Sequence, residues 1–390
     1  MVGVNDCRWG SYMQYEGPAF YGGRPVTLKP NSTFVEKVVA VVAATEGKFA
    51  SINMYDSCIV SVGIMQYCER SSGKVTEMIG EVANSLGVEY VNTKLADALK
   101  ISGAVFKKNA SGVWKFFLLR DGKELEVNPG NSSLQQQLYL GCDGKKGNWT
   151  SASRNQARIW CAGIASLWES QDACDVQYKF CCDRILKGYT TNTAKTALFN
   201  DVNSPDNGWG GALKAICVSY AVNRPVDAEK MLVLGMSRSK YTKWSKGWCL
   251  DIIRTFASDS GIGLWPIRYN SIRKTVETAF GIVLPQTVRE LSMRPWDSDP
   301  TAGEVIKQID EVNTETDASI PVTLNEVTIE GEVSAEPQHA SDFVENRAPT
   351  HPVQTNTSPD FHPIMFVITA IGTGFFALLK FIDHLFHLHK

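Results

Sequence analysis

Residues 1–296 contain no histidine; the six in the chain, His339, His351, His362, His384, His387 and His389, all lie further on. Serine hydrolases and cysteine peptidases use imidazole as base, and zinc amidases and peptidases generally use it as ligand, so those chemistries are excluded from this region. Proton transfer here must fall to carboxylates, lysine or tyrosine. Glu46 stands out among the carboxylates. Val35, Val38, Val39 and Val42 recur at helical spacing, and Glu46 follows Val42 by four residues, on the apolar face. A carboxyl held among apolar groups resists ionisation and can donate a proton near neutral pH. Asp56 and Glu69 are the nearest candidates for a second carboxylate, which would activate water or stabilise a cationic transition state. Asp56 fits an Asx turn equally well.

Downstream of Glu46-Gly47-Lys48-Phe49 comes Ser61-Val62-Gly63-Ile64-Met65-Gln66-Tyr67. The pair resembles the active-site signature of the goose-type lysozyme and Slt-type lytic transglycosylase superfamily. In that family a glutamate ends a buried helix, and a Gly-aliphatic-Met-Gln segment follows. The resemblance implies that Glu46 is the catalytic acid. It implies too that Gly63, Met65, Gln66 and Tyr67 line the floor near the scissile bond, with Met65 and Gln66 touching sugar and acetamido groups. A third family motif pairs a tyrosine with an asparagine. Its nearest match here is Tyr220 and Asn223, two residues further apart than the motif requires. The activity implied is cleavage of the N-acetylmuramic acid–N-acetylglucosamine bond of murein. Goose-type enzymes place acidic groups in the regions of Asp56 and Glu69, whereas lytic transglycosylases use one glutamate and yield a 1,6-anhydro sugar. The sequence leaves both open.

Two stretches have the composition of binding surfaces. Trp209 sits within Asn207-Gly208-Trp209-Gly210-Gly211 and offers a flat face to a sugar, or packs as a core tryptophan at a turn. Arg238 to Trp248 interleaves basic and aromatic residues, either for an anionic ligand or as a solvated face. Nucleic acid is not the expected partner, because no helix-turn-helix, zinc or OB signature accompanies the patch. No GxxxxGK[ST] or GxGxxG loop occurs in a strand-to-helix setting, so no nucleotide cofactor is expected, and no metal either. The expected partner is the glycan strand of peptidoglycan. A protein that grips murein without turnover is the alternative to an enzyme, and a membrane-tethered docking protein is a third reading.

These residues need elements to hold them. Thr33 and Glu36 form a capping box ahead of the valine stripe, and Gly47 suits the stop. Residues 1–30, rich in Gly, Pro and Tyr, read as an irregular lead-in. Residues 48–60 suggest a hairpin or extended loop. Helical patterns follow at 60–69, 74–85 and 93–101, then a strand pair at 113–119 and 124–127, then mostly helix over 134–188. Further helices are expected at 209–220, 228–234, 248–257 and 272–280. The expected fold is a mainly α, lysozyme-like α+β body over residues 31–296.

Charge divides the rest. Residues 297–362 hold 14 acidic groups against Lys307 and Arg347, which leaves residues 1–296 with a net charge of +9. The acidic segment has few aromatics and reads as a disordered linker. Pro363 to Leu379 is uncharged and the apolar pattern runs on to Phe386, so residues 363–386 read as a transmembrane helix, ahead of a short His/Lys tail at 387–390. All ten cysteines lie between Cys7 and Cys249 and read mainly as small buried hydrophobes, with a few disulfides open to a chain that is exported. The N-terminus lacks the pattern of a signal peptide. A membrane anchor with no leader, on a murein-cleaving body, fits a bacteriophage lysin or virion-associated enzyme at the bacterial cell wall. A bacterial toxin-like effector is the alternative.

Overall fold

The capping box forms as its spacing requires. In the computed structural model, which describes residues 2–189, 198–257, 265–284 and 327–328, the Thr33 amide donates to Glu36 Oε2 at 2.6 Å. The Glu36 amide returns a bond to Thr33 Oγ1 at 3.3 Å. This starts helix α1, Phe34–Glu46, and Gly47 ends it, with its N–H on the Ala43 carbonyl. The valine stripe proves wider than a stripe. Every residue from Val38 to Ala43 is buried, so α1 is wrapped on all sides.

What wraps α1 is mostly helical. Helices α2 (Lys74–Leu86), α3 (Val88–Ser102), α4 (Ser132–Tyr139), α5 (Ser151–Leu167) and α6 (Gln171–Tyr189) come first. They are followed by α7 (Gly208–Asn223), α8 (Pro225–Arg238), α9 (Lys246–Ala257) and α10 (Trp265–Phe280). Helix α7 is the second fully enclosed helix, buried continuously from Gly210 to Ala221. Helices α6, α7 and α10 pack directly on α1. The body is thus mainly α.

The first thirty residues are not irregular. Strands β1 (Arg8–Tyr12) and β2 (Tyr15–Phe20) form an antiparallel hairpin, and β2 continues through β4 (Ile52–Asn53) to β5 (Ser61–Val62) and β6 (Tyr67–Cys68). The glycines that suggested irregularity are places of close approach. A Cβ on Gly17 would lie 2.1 Å from the Met54 carbonyl oxygen. Nor is there a helix at 60–69. Val60 to Met65 are all buried, the polar Ser61 included, so the segment has no exposed face by which to tell strand from helix. The strand pair at 113–127 appears as β8 (Trp114–Arg120) and β9 (Lys123–Glu126), joined on the other side by β7 (Ala104–Lys108), which sequence reading missed.

The short strand β3 (Thr27–Leu28) pairs with β10 (Val327–Thr328), the described residues of the acidic segment. The rest of that segment, residues 363–386 and the tail lie outside the described residues. Among the described residues no helix is long and apolar enough to cross a membrane. One disulfide, Cys58–Cys68, closes the loop that carries Gly63 to Gln66; the other eight cysteines are not disulfide-bonded, and six of them are buried.

Candidate functional site

Two enclosed helices, α1 and α7, end side by side, and their last residues meet. Asn223, the final residue of α7, donates from Nδ2 to Glu46 Oε1 at 3.1 Å. Asn223 is exposed while the Glu46 side chain retains only 8% exposure, so the carboxyl sits sunken at the rim of the surface. The third member is Arg268, near the start of α10. Its Nη2 donates to the same Oε1 at 2.6 Å. Arg268 Nη1 is spread over Thr45 Oγ1 at 3.0 Å, the Ser219 carbonyl at 2.7 Å and Ser219 Oγ at 3.2 Å.

The pairing has a plain electrostatic cause. The C-terminal ends of α1 and α7 both present partial negative charge, and Glu46 adds a carboxylate at that place. A cation is the natural complement, and the guanidinium supplies it. This corrects the expectation of apolar walls. Glu46 does end a buried helix, but its carboxyl faces a fixed guanidinium and an amide.

The Gly63–Gln66 segment comes up against the residue after Glu46. A Cβ on Gly47 would lie 2.7 Å from Ser51 and 3.4 Å from Gln66 Nε2, so the Gln66 side chain packs on the glycine itself. Gln66 Nε2 donates to the Gly63 carbonyl at 2.9 Å and to the Ser51 carbonyl at 3.2 Å, and its Oε1 accepts from Asn53 Nδ2 at 2.8 Å. Those bonds occupy Gln66 as scaffold. Met65 is 3% exposed and cannot touch a sugar as the structure stands. Tyr67 is half-buried with its ring edge-on to Phe180 of α6, at 5.5 Å. Gly63 has φ +81°, and a Cβ there would lie 2.3 Å from Gln177 Oε1. Gln177, fully buried on α6, accepts from the Ile64 amide at 3.1 Å and donates to the Phe49 carbonyl at 3.1 Å. It therefore clamps the glycine turn to the loop that leaves α1.

Neither second carboxylate shares a partner with Glu46. Asp56 is an Asx-turn residue, with Oδ1 on the Cys58 amide at 2.8 Å and Oδ2 3.5 Å from Ser61 Oγ. Burial raises its pKa, though these two bonds oppose the shift. Glu69 is 1% exposed, and its carboxyl takes the Thr76 amide at 3.0 Å and the Thr76 hydroxyl at 2.5 Å in the first turn of α2. Burial pushes its pKa up to about 7 against those bonds. It is an internal helix cap, sealed from any substrate.

Tyr220 is 2% exposed and gives its hydroxyl to the Phe256 carbonyl at 3.0 Å, so it packs beneath the site. Burial raises its pKa. Trp209 lies in the first turn of α7, at the far end of a 16-residue helix from Asn223. At the usual rise that is about 20 Å away, so Trp209 belongs to another surface. There Lys246 Nζ stands 5.5 Å from its ring. The basic-aromatic stretch is partly tied inward: Trp244 donates to Asp201 at 2.9 Å, and Lys243 pairs with the same carboxylate. Among the described residues no cluster of His, Cys, Asp and Glu could hold a metal ion.

Arg268 and Gln177 carry no local sequence signal that marks them as part of the site. No protein-family model, curated protein or solved structure matches the chain.

Proposed function

We propose that the body is a murein glycosidase in which Glu46 serves alone as acid and then base, in the manner of a lytic transglycosylase. One observation carries this reading. Glu46 and Asn223 were singled out by separate motifs 177 residues apart, and they are joined by a hydrogen bond of 3.1 Å. Gln66 of the second motif packs on Gly47, the residue after Glu46, which supports the same reading. The single-carboxylate form is favoured because Asp56 and Glu69 are committed to a turn and a cap. Glu46 would protonate the glycosidic oxygen and then take a proton from the attacking hydroxyl. The basic body suits a polymer bearing muramyl and peptide carboxylates.

The test uses the full chain on purified murein sacculi. Turbidity should fall, and mass spectrometry should find products lighter by one water than reducing ends. Glu46→Gln should abolish the loss while leaving sacculus pull-down intact. The Arg268 ion pair favours a second reading, a murein-binding domain without turnover, since an ion-paired carboxylate does not by itself require catalysis. Pull-down by a wild type that never clears sacculi would establish that one instead.

A further inference from the structure

Arg268 costs something to bury, and its surroundings are arranged as though its position mattered. The side chain is 15% exposed, and its guanidinium donates to four acceptors on two other helices: Thr45 Oγ1, the Ser219 carbonyl, Ser219 Oγ and Glu46 Oε1. Three of the four belong to groups that do no chemistry. They hold Nη1 and so fix the planar fork, which sets where Nη2 meets Glu46 Oε1. Asn223 adds a second donor to that same oxygen. Glu46 Oε2, in contrast, has no hydrogen bond among the described residues.

We propose that Arg268 is the positioning residue that turns Glu46 into a directed proton donor, an inference that rests on the glycosidase reading above. With Oε1 occupied by Arg268 and Asn223, the acid form of Glu46 carries its proton on Oε2. The proton passes from Oε2 to the glycosidic oxygen as the bond from that oxygen to the anomeric carbon breaks, and the bonding pair leaves with the oxygen. Glu46 becomes a carboxylate beside a guanidinium that is already in place, so the new charge is stabilised with no reorganisation. The carboxylate then accepts a proton from the hydroxyl that attacks the anomeric carbon, which restores the neutral acid. Arg268 acts through Glu46 and not on the glycan, so its loss should lower the rate of the step and leave affinity unchanged.

A purely structural staple between α10 and the ends of α1 and α7 makes a different forecast. Its loss would lower stability and leave turnover per folded molecule intact. The experiment therefore measures kcat and KM of the full chain on soluble glycan strands, with the folded fraction taken from circular dichroism. Arg268→Ala should lose on the order of 100-fold or more in kcat per folded molecule, as removal of a fixed transition-state donor does. KM should stay within about threefold. Guanidinium ion at sub-denaturing concentration should restore part of that rate and should do nothing for Glu46→Gln. Arg268→Lys keeps the charge and most of the packing but lacks the fork, and should lose at least about tenfold in kcat. It also covers the case in which Arg268→Ala does not fold. Unchanged kcat in either variant, or the absence of guanidinium rescue in a folded Arg268→Ala, overturns the proposal while an inactive Glu46→Gln preserves the glycosidase reading. An inert wild type overturns both.

Discussion

At the scale of single residues, the same side-chain type meets three fates here, and environment decides each. Glu46 has a cation; Asp56 has a turn; Glu69 has two bonds from Thr76 and almost no exposed surface. Glu69 makes the sharpest forecast. Its ordinary pKa is 4.5 and burial raises it to about 7 in the folded chain. The folded state therefore keeps a proton that the unfolded state gives up. The stability so contributed is fully present below about pH 4.5 and is lost as pH rises towards 7. At about 1.4 kcal/mol per unit, this amounts to a few kcal/mol. Thermal unfolding between pH 4.5 and 7 should show Tm falling as pH rises, and Glu69→Gln should flatten that slope. Burial raises Asp56 too, with the same sign, so Asp56→Asn is the needed control. A slope untouched by Glu69→Gln would mean that the carboxyl is not held neutral.

At the scale of elements, the loop from Cys58 to Cys68 is tied both to α6 and to the segment that leaves α1. Gly63 is its pivot, with φ +81° and the Gln177 amide where a Cβ would go. Gly63→Ala should cost about 1–2 kcal/mol for the backbone conformation. It should cost a further 1–3 kcal/mol or so as Gln177 is pushed off Ile64 and Phe49. Urea denaturation would read the sum. In the double variant Gly63→Ala, Gln177→Ala the clash disappears and the backbone cost remains, so the two substitutions should be less than additive. Equal and additive losses would show that the two residues do not meet. This pair also marks what could be seen beforehand. The glycine stood out because its motif has a fixed spacing from Glu46. Gln177 did not, because a glutamine within Gln171–Tyr189 looks like any solvated polar residue until the fold brings it to a loop 113 residues away. Arg268 was hidden for the same reason, near Arg273 and Lys274 on a helix with no distinguishing period. Capping chemistry is local, so α1 could be read from Thr33 and Glu36 alone; the N-terminal hairpin could not, because Gly17 answers to Met54.

At the scale of the whole molecule, charge is unevenly placed along the chain. Residues 1–296 carry +9, and residues 297–362 carry 14 acidic groups against two basic ones. On the glycosidase reading, an anionic glycan and the acidic segment of the same chain would compete for the basic body. Exposed charges at more than about 8 Å are largely screened at physiological ionic strength, so long-range attraction of this kind should weaken steeply with salt. Pull-down of the full chain on sacculi should therefore fall as salt rises from low to above physiological. A synthetic peptide of residues 297–362, added in trans at low salt, should release bound protein; at high salt it should have nothing left to displace. A scrambled peptide of the same composition should act equally if charge alone governs the competition. The native sequence acting far better than the scrambled one would point to a specific pairing, as Val327 and Thr328 make with β3. Retention that ignores salt would remove electrostatics from the account and leave uncharged hydrogen bonds and apolar contacts to explain it.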